Sequence, residues 1–523
     1  MRLAPLVPTR RQLFAAAATA ALLFISYRPI GWAPLAFVAL VWFIDELERA
    51  IKDGVGGWGA FRLGYWFGVL ANGVVLYWMV IALWHFTPLS FLGYLASVFI
   101  VLAPQWGLVA WLVARVRQRT TIPLWVVFPL AWTAMEWIAG HYGDVRFPWL
   151  GLGTALGSTP RIAQWAELAG ARGLTLWVAW ANVIFWEHGT LLLKRQWRPA
   201  AKAFGWFEGT IILAWLFGLW RERTLVMRPV TTVAVVQPNF GFEEKRDSRD
   251  SDTLLVQMLD FTRQAVALPG VRLVVWSEAI VPDFFFRHPD WERRIAALAR
   301  GANTPILAGV LDVEFYANGT LDYYNAAFLF DSTGSSRNQP SYRKKYLVPI
   351  VERVPFLNPR WFGNLQYFGG FGHGDRFPVY RIGAGTFGVL ICYESAFEDL
   401  ARRYRRDGAD FLVNITNDSW YGTTAAPAQH ASHLVLRAIE TRSGIARAAQ
   451  TGISEFVDPL GHEHQRTELN TAVVMAREVL TTDVVTLYVR WGDWVAALAL
   501  AGALALFVAT LRRKASPSSG ATP

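Results

Sequence analysis

Apolar positions along this chain follow two regimes. From residue 13 to about 220, long runs are hydrophobic on every face and are separated by short basic links; one such run returns at 494–511. Helices apolar all round belong in lipid or in a large core, and about 20 residues cross a bilayer. The runs predict eight spans, at 13–27, 31–44, 63–86, 91–114, 122–138, 174–193, 206–220 and 494–511, the first two readable as a re-entrant pair. Between 225 and 486 the pattern shortens. Strand-like runs at 231–237, 272–276, 305–310, 326–330, 386–391 and 411–415 alternate with helix-like stretches at 251–267, 291–301, 397–407 and 428–443. That rhythm predicts a layered α/β domain inserted before the last span. The chain therefore divides into an N-terminal membrane bundle (1–224), an α/β domain (225–486) and a final span with a short tail (487–523), whose small, polar end at 515–523 reads as disordered.

Composition agrees with a membrane setting: 53% of residues are hydrophobic, 26 are Trp, and mean hydropathy is +0.26. Charge supplies the orientation. Arg2, Arg10 and Arg11; Arg49, Lys52 and Arg62; Arg115, Arg117 and Arg119; Lys194, Arg195, Arg198 and Lys202; and Arg512, Arg513 and Lys514 all flank spans on one side. By the positive-inside rule both termini are cytoplasmic and the α/β domain lies on the outer face. These flanks use much of the formal +10 charge, and no basic-aromatic module points to nucleic acid. Residues 26–29, Ser-Tyr-Arg-Pro, offer no small-residue cleavage site, so the first span reads as uncleaved. With one cysteine, no intramolecular disulfide can form.

That cysteine, Cys392, closes the apolar run Thr386-Phe-Gly-Val-Leu-Ile and precedes Tyr393 and Glu394. A thiol at a strand end reads as a nucleophile if a base and an oxyanion partner exist, and as a small buried hydrophobe otherwise. Glu278 stands at the end of another strand, after Trp276-Ser277. Lys344 and Lys345 sit in Tyr342-Arg-Lys-Lys-Tyr-Leu-Val-Pro-Ile-Val-Glu352. Taken singly, a loop Glu or a Lys pair is a surface feature.

Together the three segments resemble the Glu–Lys–Cys triad of the nitrilase superfamily, and within it the apolipoprotein N-acyltransferases of bacterial inner membranes. Val236-Gln-Pro-Asn239, Tyr324-Asn325, Leu347-Val-Pro349, Ile391-Cys-Tyr-Glu394, Asn417-Asp-Ser-Trp420 with Gly422, Gln429-His430, Arg437-Ala-Ile-Glu440 and Phe147-Pro-Trp149 match in order, over nearly the whole chain. Two motifs depart: Ser277 stands where the family has Pro, and Ile350-Val351 where it has Phe-Gly. The resemblance implies a nitrilase-like αββα sandwich carried by the bundle. It implies Cys392 as nucleophile, Glu278 as general base and acid, and Lys344 rather than Lys345 as oxyanion stabiliser, with the Tyr393 N–H. Glu352 near the lysine and Glu394 behind the cysteine would support them. It further implies a phospholipid acyl donor, phosphatidylethanolamine, a diacylglyceryl apolipoprotein acceptor, an inner-membrane location with the catalytic domain in the periplasm, and no metal or organic cofactor.

Several readings stay open in the sequence. The same triad serves a membrane-anchored carbon–nitrogen hydrolase of the amidase or nitrilase type. His430 reads as structural beside a complete Glu–Lys–Cys set. Glu136, inside the fifth run, is either paired in the bundle or near its outer end. The aromatic loops at 284–286 and 361–371 are either lipid-interface anchors, with Trp361, Tyr367 and Phe368 as contacts, or satellite clusters on the α/β domain; Trp420 is a further candidate lipid contact.

Overall fold

The computed structural model describes residues 7–84, 90–241, 251–281, 283–317, 321–356, 370–383 and 385–511. Among the described residues, helices run as far as Thr224, twelve strands with their covering helices follow from Arg228, and helix Trp494–Leu511 comes last. The first helix, Arg10–Ser26, starts where Thr9 and Gln12 cap each other reciprocally, each side chain accepting the other's main-chain N–H.

Four described helices are individually long and apolar enough to cross a membrane: Phe91–Arg119, Ala166–Leu193, Trp197–Thr224 and Trp494–Leu511. The pair Gly57–Val75 and Trp78–Trp84, bent by 62°, is long and apolar enough only when taken together, as a broken span or a re-entrant loop. Arg10–Ser26 and Leu124–Ala139 are shorter, at 17 and 16 residues. The run at 31–44 is not one helix. A 3-10 turn, Ala33–Phe37, with Pro34 at its start, breaks it, and helix Val41–Lys52 then carries Asp45, Glu46 and Glu48 among its apolar residues. Hydropathy alone cannot see that break because the whole run from 31 to 44 is apolar.

The α/β domain holds β1 (Arg228–Gln237), β2 (Val271–Val275), β3 (Ile306–Phe315), β4 (Leu321–Phe330), β5 (Tyr342–Arg343), β6 (Tyr380–Ile382), β7 (Gly385–Ile391), β8 (Phe411–Thr416), β9 (Ile445–Ala449), β10 (Glu455–Val457), β11 (Glu463–His464) and β12 (Val473–Thr481). They form two six-stranded sheets, ordered β12-β1-β2-β3-β4-β5 and β11-β10-β9-β8-β7-β6. The centre of each is parallel: β1, β2 and β3 in one, β7, β8 and β9 in the other. Such strands are buried on both faces. Val233 and Val235 of β1 pack inward with Leu273, Val389, Val413 and Ile415, while Ala234 and Val236 pack outward under helices Ser251–Val266 and Pro289–Ala302. Helices Glu398–Arg406 and Ala426–Thr441 cover the other sheet, giving a helix–sheet–sheet–helix sandwich.

Buried ion pairs join this sandwich to the helices. Arg172 reaches Glu136 at 3.0 Å and Glu398 at 3.1 Å, and Glu167 pairs with Arg221 at 2.6 Å and Arg442 at 2.7 Å. Glu136 is therefore paired inside the bundle, with Thr175, Trp132 and the Leu152 N–H also donating to it. The tail at 515–523 and the basic cluster Arg512, Arg513 and Lys514 lie outside the described residues.

Candidate active site

Both sequence-selected strand ends open onto one crevice at the carboxyl edge of the parallel strands, where open α/β sheets bind ligands. Cys392 begins a 3-10 turn, Cys392–Ala396, immediately after β7. Its φ of +52° lies in the left-handed region, a conformation that costs a non-glycine residue energy and persists only when its surroundings impose it. Glu278 follows β2 by three residues. Its main chain lies so close to β3 that a Cβ on Gly309 would sit 2.4 Å from the Ser277 carbonyl, so only glycine fits there. Lys344 follows β5 directly, its N–H donating to the Asn325 carbonyl at 2.8 Å.

The side chains converge. Lys344, 1% exposed, donates to Glu352 Oε1 at 2.9 Å and Glu278 Oε1 at 3.3 Å. Glu278 also accepts from the Asn417 N–H at 2.8 Å through Oε2, and Glu352 Oε2 accepts from the Val348 N–H at 2.8 Å. Asn325 Nδ2 bridges the two carboxylates, donating to Glu278 at 2.6 Å and Glu352 at 3.0 Å. This bridge has no counterpart in the roles read from the sequence. Asn325 belongs to the Tyr324-Asn325 match, but an isolated Asn in a strand signals nothing until its partners, 47 and 27 residues away, are known.

Glu394 fastens the cysteine turn to the lysine segment. Its carboxylate accepts from the Ile391 N–H (2.8 Å), the Lys345 N–H (2.6 Å), the Tyr346 N–H (3.1 Å) and the Tyr342 hydroxyl (2.7 Å). Complete burial pushes its pKa up to about 7 even against these donors. Lys345, by contrast, uses its main chain here and keeps its side chain half-buried. Tyr393 stacks on Phe147 and Trp149 and donates its hydroxyl to the Arg146 carbonyl, tying the turn to the helical part. His430 does not pair with the thiol; it meets the main-chain oxygen of Cys392 and the carboxylate of Asp418.

Electrostatics set a neutral thiol at rest. Burial, then the Glu278 charge, pushes the Cys392 thiol well up, with Lys344 acting the other way. Burial alone would lower the Lys344 ammonium, but Glu278 and Glu352 outweigh it and hold it well above its ordinary value. A neutral thiol beside a carboxylate and a fixed ammonium can be deprotonated during attack, with the new oxyanion meeting a cation.

A cavity of about 790 Å³ leads away from Cys392, Glu278 and Lys344. Its far wall is apolar and comes from the helices, including Trp78, Leu83, Ala96 and Leu102, and Ile100 stands 73% exposed at its outer edge. Trp420 lines the same cavity. The aromatic loops divide. Phe284 is fully buried with Val313 and Tyr323, and Phe371 packs on that cluster, so these residues are a satellite core rather than interface anchors. Trp361, Tyr367 and Phe368 lie outside the described residues. In the loop that departs from the family pattern, the left-handed residue is Ile350, with φ +73°, not Val351. The missing glycine is thus not at the position that needs one. Among the described residues no group of three or more His, Cys, Asp or Glu side chains is placed to hold a metal ion.

Comparison with known proteins adds to this geometry. Residues 19–184 match the family profile described as the apolipoprotein N-acyltransferase N-terminal domain, and residues 232–476 match that of the carbon-nitrogen hydrolases. A Geobacter metallireducens protein named apolipoprotein N-acyltransferase is 32% identical over 97% of this chain and 96% of its own length. One of the same name from Chlorobaculum tepidum is 28% identical over 94% of each. A solved Saccharomyces cerevisiae member of the nitrilase superfamily superposes on 49% of this chain and 92% of its own, at 18% identity and a TM-score of 0.38.

Proposed function

The chain belongs to the apolipoprotein N-acyltransferase family, and we propose that it works through a Cys392 thioester formed from a membrane phospholipid and resolved by a lipoprotein amine. It is a membrane acyltransferase that N-acylates lipoproteins, with a carbon-nitrogen hydrolase domain as its engine. The observation that carries the mechanism is the single cavity that joins the buried Glu278–Lys344–Cys392 set to an apolar wall of helices. An acyl chain needs the wall and its ester carbonyl needs the polar end.

In the first step the Cys392 sulfur attacks the donor ester carbonyl while Glu278 takes the thiol proton. Lys344 Nζ and the Tyr393 N–H receive the oxyanion. As the tetrahedral adduct collapses, the ester C–O bond breaks and Glu278 returns the proton to the departing lysolipid alkoxide. The α-amine of the diacylglyceryl cysteine then attacks the thioester, passes a proton through Glu278 to the leaving thiolate, and keeps the acyl group as an amide. Glu352 and Asn325 hold Lys344 and Glu278 in place. Burial of all three catalytic side chains keeps bulk water from the thioester.

The donor is assigned as phosphatidylethanolamine, and the location as the inner membrane with the α/β domain in the periplasm, where processed lipoproteins present their amines. The unit boundaries are placed at 1–224, 225–486 and 487–523. Eight spans are assigned, counting the bent pair as one and including the shorter helices and the interrupted 31–52 segment. Incubating purified protein with radiolabelled phosphatidylethanolamine and a diacylglyceryl-cysteine peptide should move label into the peptide amide. Release of free fatty acid with no labelled peptide would instead favour a hydrolase using the same triad.

A further inference from the structure

We propose that His430 acts as a doubly protonated positioning residue, holding the Cys392 carbonyl so that the following peptide aims and strengthens the Tyr393 N–H as an oxyanion donor. This rests on the reading of Cys392 as the acylated nucleophile. His430 lies on helix Ala426–Thr441 and is completely buried. Its Nε2 is 2.9 Å from the Cys392 carbonyl oxygen and its Nδ1 is 2.9 Å from Asp418 Oδ1. A carbonyl and a carboxylate only accept hydrogen bonds. Two such bonds therefore require a proton on each ring nitrogen.

The competing tautomer has a bare Nδ1 accepting from Arg447 Nη2, which lies 3.3 Å away. That arrangement would press the Nδ1 lone pair against Asp418 Oδ1 at 2.9 Å, and Arg447 Nη2 already donates to Asp418 Oδ2 at 2.8 Å. Asp418 is fixed from every side. Thr416 donates to its Oδ1 at 3.1 Å, Arg447 is itself anchored on Asn414 and the Ile453 carbonyl, and a Cβ on Gly452 would come within 2.2 Å of Oδ2. The ring also lies 5.3 Å from the Trp149 indole, a face that attracts a cation, with Tyr421 at its edge and His433 as the neighbouring histidine. On the far side of the cysteine, two carboxylates, Glu278 and Glu352, share one ammonium, Lys344. Behind Cys392, Arg447 and Asp418 offset each other, so a charged His430 balances that excess.

The consequence follows from peptide geometry. In a planar trans peptide the C=O and N–H point in opposite directions, so pinning the Cys392 oxygen on His430 turns the Tyr393 N–H away from helix Ala426–Thr441. Cys392 and Tyr393 both line the cavity, and the first N–H groups of a helical turn have no partner within the turn. A charge-assisted bond at the carbonyl polarises the amide and strengthens its N–H. The same bond restrains the left-handed backbone of Cys392.

Two measurements on the full-length protein in lipid nanodiscs test this. With ring-15N-labelled histidine, the His430 resonances, identified by their loss in His430→Gln, should show both ring nitrogens protonated at neutral pH. A neutral ring overturns the proposal. In single-turnover experiments, acylation of Cys392 by phospholipid is compared with its alkylation by iodoacetamide, which uses the thiol but no oxyanion donor. His430→Gln keeps a donor near the Nε2 position and should acylate within about tenfold of wild type, whereas His430→Asn, too short to reach, should lose roughly 10²-fold or more. Alkylation should change by no more than about threefold in either variant, because no oxyanion forms. An Asn variant that acylates like wild type, a Gln variant as slow as the Asn one, or alkylation falling in step with acylation contradicts the assignment. If wild type itself never acylates Cys392, the parent reading falls and takes this one with it.

Discussion

Lys344 and Lys345 are adjacent, yet only the first is buried between Glu278 and Glu352. Lys344→Ala should therefore reduce acylation of Cys392 by at least the roughly 10²–10³-fold typical of losing one oxyanion donor, while Lys345→Ala stays near wild type. A single acylation assay on both variants checks this, and the reverse pattern would place the motif one residue out of register. Glu394 makes a different demand. Its four donors all point at oxygens, so Glu394→Gln must set an amide N–H against at least one of them, leaving a buried donor unpaired at about 1–3 kcal/mol. Thermal unfolding should show that loss, together with slower acylation as the cysteine turn and lysine segment loosen; an unchanged melting temperature would count against this role. The sequence disclosed Cys392 and Glu278 because each follows an apolar strand, and Lys344 only through the resemblance carried by its segment. It disclosed no role for Asn325 or for the His430–Asp418–Arg447 chain, since polar residues inside strands and helices are recognisable only through distant partners.

At the scale of elements, all six strands and four helices expected in the α/β domain are present, with ends shifted by a few residues. The strands that went unseen have physical reasons for it. β9 is short and carries the buried Arg447, which breaks its apolar run, and β5, β6, β10 and β11 are only two or three residues long. β12 pairs antiparallel with β1 from more than two hundred residues away, and most of its side chains are only partly buried. Among the helices, Gly64 and Gly68 of Gly57–Val75 meet Phe91–Arg119 at very close range. A Cβ on Gly64 would lie 2.4 Å from the Trp106 carbonyl, and one on Gly68 3.0 Å from Ala103. This small-xxx-small contact lets two apolar helices pack without a hydrophobic driving force between them. Gly64→Leu should thus force the pair apart, lowering the melting temperature in detergent by several degrees and cutting activity through the displaced cavity wall. Wild-type stability in that variant would contradict the packing.

For the molecule as a whole, the sequence conveyed the order of bundle, sandwich and final helix but not how firmly they join. The joint is made by Arg172 with Glu398 and by Arg442 with Glu167, each pair taking one partner from the bundle and one from the sandwich. Hydropathy also read eight spans, the first two readable as a re-entrant pair, whereas the structure bends the third run and interrupts the second, because bends within apolar sequence leave no trace in hydropathy. Orientation rests on the basic flanks, so reporter fusions after Lys202 and after Lys514 should signal cytoplasm and one near Asp331 should signal periplasm. A cytoplasmic signal at Asp331 would put the sandwich on the wrong side for processed lipoproteins. Most direct is the intermediate itself. Wild-type protein given phospholipid but no acceptor, quenched rapidly and weighed intact, should carry one acyl chain on Cys392 that hydroxylamine removes, and Cys392→Ser should carry none and transfer nothing. A protein that acylates its lipoprotein acceptor without ever showing that adduct, or a fully active Cys392→Ser, would contradict the covalent route.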